Sequence, residues 1–154
     1  MERKISATIN TDASFSYKYK IGSFAYWIRC ESKKWSGADM LRGPIEDVTE
    51  AELKAICNAL FHLVEVRNPD DLKLIYINTD NIASVKLIEK KRYESKKKKY
   101  RDVLTTIHTL LEGKEVIIRY VPAHTIGDTK RTQANNKLDE IAKKYLRNHI
   151  KQMK

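Results

Sequence analysis

The sequence predicts an α/β protein with a mixed five-stranded sheet, in which three antiparallel meander strands precede two parallel strands and helices pack on the sheet. The first part of the chain alternates apolar and polar residues with the period of two that half-buried strands show. The rest alternates helical periodicity with short apolar runs. A chain of 154 residues suits one hydrophobic core. We therefore expect a single domain over residues 1–154.

The three meander strands are predicted where the period of two occurs. The polar connections between these segments are short, which favours antiparallel neighbours. The segments are residues 5–12, 22–30 and, with a weaker pattern, 33–41.

The following segments predict helices and strands in alternation. Apolar residues recur at helical spacing from Thr49 to Val66, and the apolar run from Leu74 to Ile77 suits a strand covered on both faces. A strand, a crossover helix and a second strand almost always form a right-handed parallel pair. The fourth strand, at 72–79, should therefore lie parallel to one of the first three. The later helices are predicted at 81–91, 95–111 and 134–149, and the last strand at 115–121.

The composition favours a polyanionic partner. The formal net charge is +10 and the pI is near 9.5, which indicates nucleic acid first and an anionic membrane second. No apolar run approaches the roughly 18 residues that span a bilayer, and the first residues do not resemble a signal peptide. We expect a cytoplasmic protein. Cys30 and Cys57 lack zinc or disulfide spacing, which predicts two reduced, partly buried thiols.

Most of the positive excess lies in residues 90–101, KKRYESKKKKYR, here called the basic segment. It holds eight basic residues against one acidic residue, with Tyr93 and Tyr100 between them, which suits phosphate neutralisation and base stacking. A solvated helix face is the alternative, but so dense a run on a basic domain favours nucleic-acid contact. The candidate contact residues are Lys90, Lys91, Arg92, Lys96, Lys97, Lys98, Lys99 and Arg101.

Four carboxylates that are far apart in the chain are predicted to meet at one edge of the sheet. Asp12 ends the first predicted strand and Asp80 ends the fourth, so parallel neighbours would place both at their carboxyl ends. Glu52, in the first turn of the crossover helix, flanks an apolar helical face. Asp139 does the same on the closing helix.

Each carboxylate also has an ordinary structural explanation. Asp12 could start a turn, and Glu52 could complete a capping box with Thr49. Asp80 could cap the next helix, and Asp139 could pair with a lysine one turn on. Together, however, converging carboxylates repel one another unless a cation is bound. Oxygen ligands of this kind suit Mg²⁺ or Mn²⁺, and two such ions can hydrolyse a phosphodiester.

Five motifs resemble the ribonuclease H family, type 1, over a span from about Ile5 to Tyr145. They occur in the family's order and at similar spacing. The motifs are TDAS with Asp12, TEAELKAICNAL with Glu52, YINTDN with Asp80, VPAHT with His124 and NNKLDEIAKK with Asp139.

The resemblance implies a ribonuclease H-like fold and an endoribonuclease that cuts the RNA strand of RNA/DNA hybrids, leaving 5′-phosphate and 3′-hydroxyl ends. We expect the protein to be a monomer. It implies that the four carboxylates bind two Mg²⁺ ions, with Mn²⁺ as the alternative. His124 is similar to the family's flexible histidine, which assists proton transfer or product release, although it could equally be an ordinary loop residue. The basic segment looks like the protrusion by which some members grip the DNA strand.

Two departures from the family pattern concern substrate recognition. Many members have a Gly-rich loop after the first Asp, where this chain has ASFSYKYKIG. Members also often carry an Asn pair before the catalytic Glu, where Val48 and Thr49 stand here. The motifs therefore predict the metal chemistry, whereas two family elements that recognise consecutive ribonucleotides differ in this chain.

Two other functions stay open from the sequence. A DNA-processing nuclease, such as a transposase, integrase or junction resolvase, shares the acidic geometry, but the short loops argue against it. A non-catalytic nucleic-acid-binding module would keep the fold and the basic segment. Against that reading, a binder of phosphates gains nothing from carboxylates in its groove.

Overall fold

The structure, a computed structural model, describes residues 5–90, 98–122 and 130–153. In these ranges it contains five strands and four α-helices, with a π-helical turn at His62–Arg67 that continues the first helix. The strands are β1 (Ile5–Ser16), β2 (Ile21–Cys30), β3 (Lys33–Met40), β4 (Leu72–Thr79) and β5 (Glu115–Tyr120). The helices are α1 (Val48–Phe61), α2 (Ile82–Glu89), α3 (Lys98–Leu110) and α4 (Lys130–Met153).

The strands form one mixed sheet in the order β3-β2-β1-β4-β5. The first three strands are antiparallel neighbours, whereas β4 is parallel to both β1 and β5. The predicted fold class is therefore confirmed: a meander comes first, and the crossover through α1 then adds β4 beside β1. Their register pairs Asn10 with Asn78, and this register positions the candidate site.

The main core lies between the sheet and the helices α1 and α3. Leu53, Ile56 and Leu60 of α1 are fully buried, as are Leu104 and Ile107 of α3. Their spacing of three or four residues keeps them on one stripe of each helix. Burying one such side chain contributes about 1.5–3 kcal/mol. This layer therefore holds α1 firmly against the sheet.

The opposite face of the sheet carries α4 over a patch of small residues. Ala25 of β2 and Ala38 of β3 pack with Leu138 and Ala142 of α4, and the Ser23 hydroxyl donates a hydrogen bond to the Ala142 carbonyl. Small side chains let the helix backbone approach the sheet closely. A groove lies beside α4 on the same face.

Strand β1 is longer than the sequence predicts. Its pairing with β4 ends at Asn10, but its pairing with β2 continues to Ser16. Asp12 therefore lies inside β1 and just beyond the parallel pair, and the expectation that it ends the strand is wrong.

The helices also differ from the prediction at their ends. The helix that begins with α1 changes to π geometry at His62, and the chain leaves it through Asn68, whose φ is +45°. An αL residue of this kind commonly ends a helix. Helix α4 extends beyond the predicted 134–149 at both ends because polar helix-formers sustain a helix without an apolar stripe. Within the described ranges, no helix is long and apolar enough to cross a membrane.

The start of α1 is tied to α3 through Asp47. This residue caps α1, accepting a hydrogen bond from the Glu50 backbone N–H at 2.8 Å. Its Oδ2 also accepts from the Tyr100 hydroxyl at 2.6 Å and from Lys99 Nζ at 2.9 Å. Burial raises the pKa of Asp47, but the hydrogen bonds from Tyr100 and Lys99 outweigh burial and lower the pKa overall. One carboxylate thus fixes the beginnings of two helices.

Replacing Asp47 with Ala should lower the free energy of unfolding by about 1–3 kcal/mol at pH 7, because a helix cap and two charge-assisted hydrogen bonds are lost. Since the folded-state pKa of Asp47 is lowered, its contribution is present above about pH 4 and fades as the pH falls further. Urea unfolding at pH 7 and pH 3 measures both effects. The matched control is Asp70→Ala, at an exposed aspartate. Equal losses in the two variants would contradict this role for Asp47.

Candidate active site

Asp12 and Asp80 lie side by side because β1 and β4 are parallel and in register. Asn10 is paired with Asn78, and each aspartate follows two residues later, on the same side of its strand. The tetrapeptide Ile-Asn-Thr-Asp occurs inside β1 at residues 9–12 and again at residues 77–80, where β4 ends. Two equal segments therefore deliver their carboxylates to one edge of the sheet.

Glu52 reaches this edge from the start of α1. It is 3% exposed, and its Oε1 accepts a hydrogen bond from the Ala13 backbone N–H at 3.1 Å. The same N–H lies 2.9 Å from Asp12 Oδ1, so one amide orients two carboxylates. Because the cap of α1 is Asp47, the alternative explanation of Glu52 as the partner of a Thr49 cap is wrong.

Asp80 is not a helix cap either. Asn81 caps α2, accepting a hydrogen bond from the Ser84 backbone N–H at 2.7 Å. One side-chain oxygen from each of Asp12, Glu52 and Asp80 lies within 4.8 Å of the other two. The structure thus gathers three of the four predicted carboxylates into what we call the acidic cluster.

Asp139 of α4 lies at the margin of the acidic cluster. Its carboxyl group is close enough to Asp12 for a hydrogen bond between the two, and its Oδ2 is 2.9 Å from Lys143 Nζ. The ion pair suggested as an ordinary explanation for Asp139 is present, but it does not separate Asp139 from Asp12. The fourth carboxylate therefore approaches the cluster from the helix that covers this face of the sheet.

Burial and mutual repulsion raise the pKa values of the clustered acids. The pKa of Asp12 rises from 3.8 to about 8, first because of burial and then because of Asp80 and Asp139. The pKa of Glu52 is raised well above 4.5 by burial and by the charges of Asp12 and Asp80. Without a cation, the cluster therefore retains protons near neutral pH.

The donor set fits divalent cations. Asp12 Oδ2 and Glu52 Oε2 are buried, and apart from neighbouring carboxyl groups no donor in the described part of the chain reaches them. A buried acceptor without a donor is costly, and a cation removes that cost. Mg²⁺ and Mn²⁺ prefer carboxylate oxygens. Asp12, Glu52 and Asp80 are the residues that could hold such ions, with Asp139 beside them.

Three hydrogen-bonded polar residues next to the acidic cluster were not identified from the sequence, namely Asn10, Asn78 and Arg119. Asn78 Nδ2 donates to Asn10 Oδ1 at 2.9 Å, and Arg119 Nε donates to Asn78 Oδ1 at 2.8 Å. These residues are paired across β1, β4 and β5, and both asparagines are buried. The signal that could have identified the asparagines is the repeated tetrapeptide, because Asn recurs there at the same distance from Asp in two apolar strands.

The structure describes only the ends of the basic segment. Lys99 is paired with Glu46 and Asp47, at 3.0 and 2.9 Å, and Tyr100 is buried, so the expectation that the Tyr100 ring offers stacking surface is wrong. The exposed basic residues are Lys90, Lys98 and Arg101. The positions outside the described residues are Lys91, Arg92, Tyr93, Lys96, Lys97 and His124.

The fold and the acidic cluster together define an α/β domain with a carboxylate site at the edge of a parallel strand pair. The chain belongs to the ribonuclease H family, since the model of that family, RNase H, matches residues 4–147. The match includes all four predicted carboxylates. None of the curated protein sequences matches the chain.

Solved structures of ribonucleases H share this fold at low sequence identity. The N-terminal RNase H domain of a Mycobacterium tuberculosis protein, solved as a fusion with maltose-binding protein, is 12% identical with a TM-score of 0.76, covering 98% of this chain and 100% of that one. RNase H1 from the halophilic archaeon Halobacterium salinarum is 16% identical with a TM-score of 0.71, covering 93% and 98%. LC11-RNase H1, solved in complex with an RNA/DNA hybrid, is 14% identical with a TM-score of 0.72, covering 94% and 99%. The fold is thus that of ribonucleases H of type 1.

Replacing Asp12 with Asn should raise the melting temperature of the cation-free protein at pH 9, by on the order of 5–10 °C, and change it little at pH 4. The folded-state pKa of about 8 exceeds that of an unfolded aspartate. Ionisation therefore destabilises the fold progressively as the pH rises from about 4 to about 8, and the whole penalty is present above that range. Calorimetry in the presence of a chelator measures the difference.

The matched control for this variant is Asp39→Asn, which makes the same change at an exposed position. Its melting temperature should follow that of the unsubstituted protein at both pH values. An equal gain for Asp12→Asn at pH 4 and pH 9 would show that ionisation of Asp12 does not strain the fold.

Proposed function

We propose that this protein is an endoribonuclease that hydrolyses the RNA strand of RNA/DNA hybrids with divalent cations held by Asp12, Glu52, Asp80 and Asp139. The observation that carries the proposal is the acidic cluster, in which one oxygen from each of Asp12, Glu52 and Asp80 lies within 4.8 Å of the other two. Such a cluster is costly unless cations bind between its members, and it occurs here in a chain of the ribonuclease H family.

Each carboxylate would have a distinct place in this chemistry. Asp12 and Asp80, on adjacent strands, would contact both cations, whereas Glu52 and Asp139 would each contact one. The Ala13 N–H keeps Asp12 and Glu52 oriented before any cation arrives. Divalent cations held there would supply the chemistry that activates a water and stabilises the leaving oxygen of a phosphodiester. In-line attack by water on phosphorus would break the bond to the 3′ oxygen, giving 5′-phosphate and 3′-hydroxyl ends.

Three further observations support a nucleic-acid substrate, and the third of them concerns an RNA/DNA hybrid. The net charge of +10 suits a nucleic-acid ligand. The exposed Lys98 and Arg101 lie at the start of α3, where Lys99 and Tyr100 dock the chain beside α1. One protein of the same fold, LC11-RNase H1, was solved with an RNA/DNA hybrid. His124, from the VPAHT motif, is proposed to assist proton transfer or product release.

Asp12→Asn should abolish cleavage of a labelled RNA/DNA hybrid in Mg²⁺ while leaving hybrid binding measurable, because the substitution removes an anionic ligand and keeps the shape of the side chain. Asp39→Asn is the control, at an exposed carboxylate on β3, and should retain full activity. Gel-based cleavage and a binding titration on the same substrate separate catalysis from affinity. Full activity of Asp12→Asn would end the proposal.

The substrate class is tested with matched duplexes of one sequence. A hybrid should be cut in its RNA strand, whereas RNA duplex, DNA duplex and branched DNA should stay intact. Preferential cleavage of branched or duplex DNA would contradict the proposal and indicate a DNA-processing nuclease. Calorimetry that finds no Mg²⁺ binding, with or without hybrid, would favour the non-catalytic binding module.

Replacing Lys96, Lys97 and Lys98 with Gln should weaken hybrid binding and lower the slope of log affinity against log salt by about 0.9 for each lost phosphate contact. Lys99 is left unchanged because its pairing with Asp47 would add a stability effect. Fluorescence anisotropy measures the slope of log affinity against log salt. The titrations run from about 50 to about 300 mM salt, a range that includes physiological ionic strength. The control is Lys33→Gln with Lys73→Gln, at two exposed positions outside the basic segment. An unchanged slope would show that the basic segment is solvated and does not contact the phosphates of the hybrid.

A further inference from the structure

A groove beside α4 is left unused by the proposed hydrolysis. Its volume is about 720 Å³, and it lies on the same face of the sheet as Asp12. Asn10 and Asn78, each two residues before an acid of the cluster, form part of its floor. The groove is thus adjacent to the acidic cluster but is lined by different residues.

The charge of the groove is positive. Arg29 of β2, Arg119 of β5 and Lys137 of α4 line it, and no carboxylate is among its described lining residues. Arg119 is held in place, since its Nε donates to Asn78 and its guanidinium lies 4.6 Å from the centre of the Tyr76 ring. Three cations around one concave surface attract an anion.

The groove also offers a flat aromatic surface. Trp27 is half-buried, packs against the Ala25, Leu138 and Ala142 cluster, and lines the groove across from Lys137 on α4. Trp27 pairs with Asn10 across β1 and β2, so an indole ring and a carboxamide stand next to each other. An indole stacks on any nucleobase. Since Asn10 Oδ1 accepts from Asn78, the amide nitrogen of Asn10 is the atom that offers a hydrogen bond to a base.

We propose that this groove binds a nucleoside monophosphate unit, with its base stacked on Trp27 and its phosphate held by Arg29 and Lys137. A planar polar ring joined to an anion is the chemistry that matches an indole, a carboxamide pair and flanking cations. A free nucleotide and the end of a nucleic-acid strand both present this unit. Binding here does not require the acidic cluster or a divalent ion.

Tryptophan fluorescence tests the proposal directly. The second tryptophan, Trp35, lies against Arg67 and His62, away from the groove, so Trp35→Phe leaves Trp27 as the reporter. We expect saturable quenching by adenosine 5′-monophosphate, or by a short single-stranded oligoadenylate, in the presence of a chelator. Calorimetry on the unsubstituted protein repeats the measurement without relying on that variant. Quenching by both ligands indicates a site for free nucleotides, and quenching by the oligonucleotide alone indicates a site for a strand end.

Two substitutions locate the site. Arg29→Gln and Lys137→Gln should each weaken binding about tenfold, the effect of losing one charge-assisted contact. Lys33→Gln, on the opposite side of the β2–β3 hairpin, should leave binding unchanged, and so should Asp12→Asn. No quenching by either ligand, unchanged affinity in Arg29→Gln and Lys137→Gln, or equally tight binding of inorganic phosphate alone would each overturn the proposal. The acidic cluster is not involved in these outcomes, so they are independent of the cleavage assay.

Discussion

The parallel pairing of β1 with β4, with Asn10 opposite Asn78, is the constraint on which the rest of the molecule depends. Side chains alternate between the two faces of a sheet, so a slip of one residue would move Asp80 to the other face and away from Asp12. The crossover through α1 enforces this pairing and also brings Glu52 to the same edge. The layer of α1 and α3 holds the crossover in place, and Asp47 links the beginnings of those two helices.

The carboxylates of the acidic cluster repel one another when ionised, and the surrounding packing has to hold them together. Asp12 and Glu52 are 2% and 3% exposed, and burial raises the pKa of both. The fold tolerates the cluster because the two elements that carry most of it, β1 and α1, are fixed by apolar contacts in the core between the sheet and α1. Rigid support keeps the carboxylates from moving apart, so their oxygens stay close together.

The convergence of Asp12, Glu52 and Asp80 was predictable because it follows from element order, side-chain periodicity and the handedness of the crossover. Other features depend on contacts between distant segments. Asp47 and Thr49 were both reasonable caps for α1, and Asp47 is stabilised by Lys99 and Tyr100, about fifty residues away in the chain. The link between Asn10, Asn78 and Arg119 requires the register of three strands. The burial of Tyr100 depends on where α3 docks, which a count of charges in the basic segment does not reveal.

The two Ile-Asn-Thr-Asp segments, at residues 9–12 and 77–80, make the two halves of the site similar to each other. Ile9 and Ile77 are paired and fully buried, and Thr11 and Thr79 are fully buried as well, so corresponding positions occupy corresponding environments. The halves differ in their neighbouring strands. β1 is paired with β2 of the meander, whereas β4 is paired with β5, which carries Arg119. The two aspartates are also placed differently, since Asp12 lies inside β1 and next to Asp139 of α4, whereas Asp80 follows the last residue of β4.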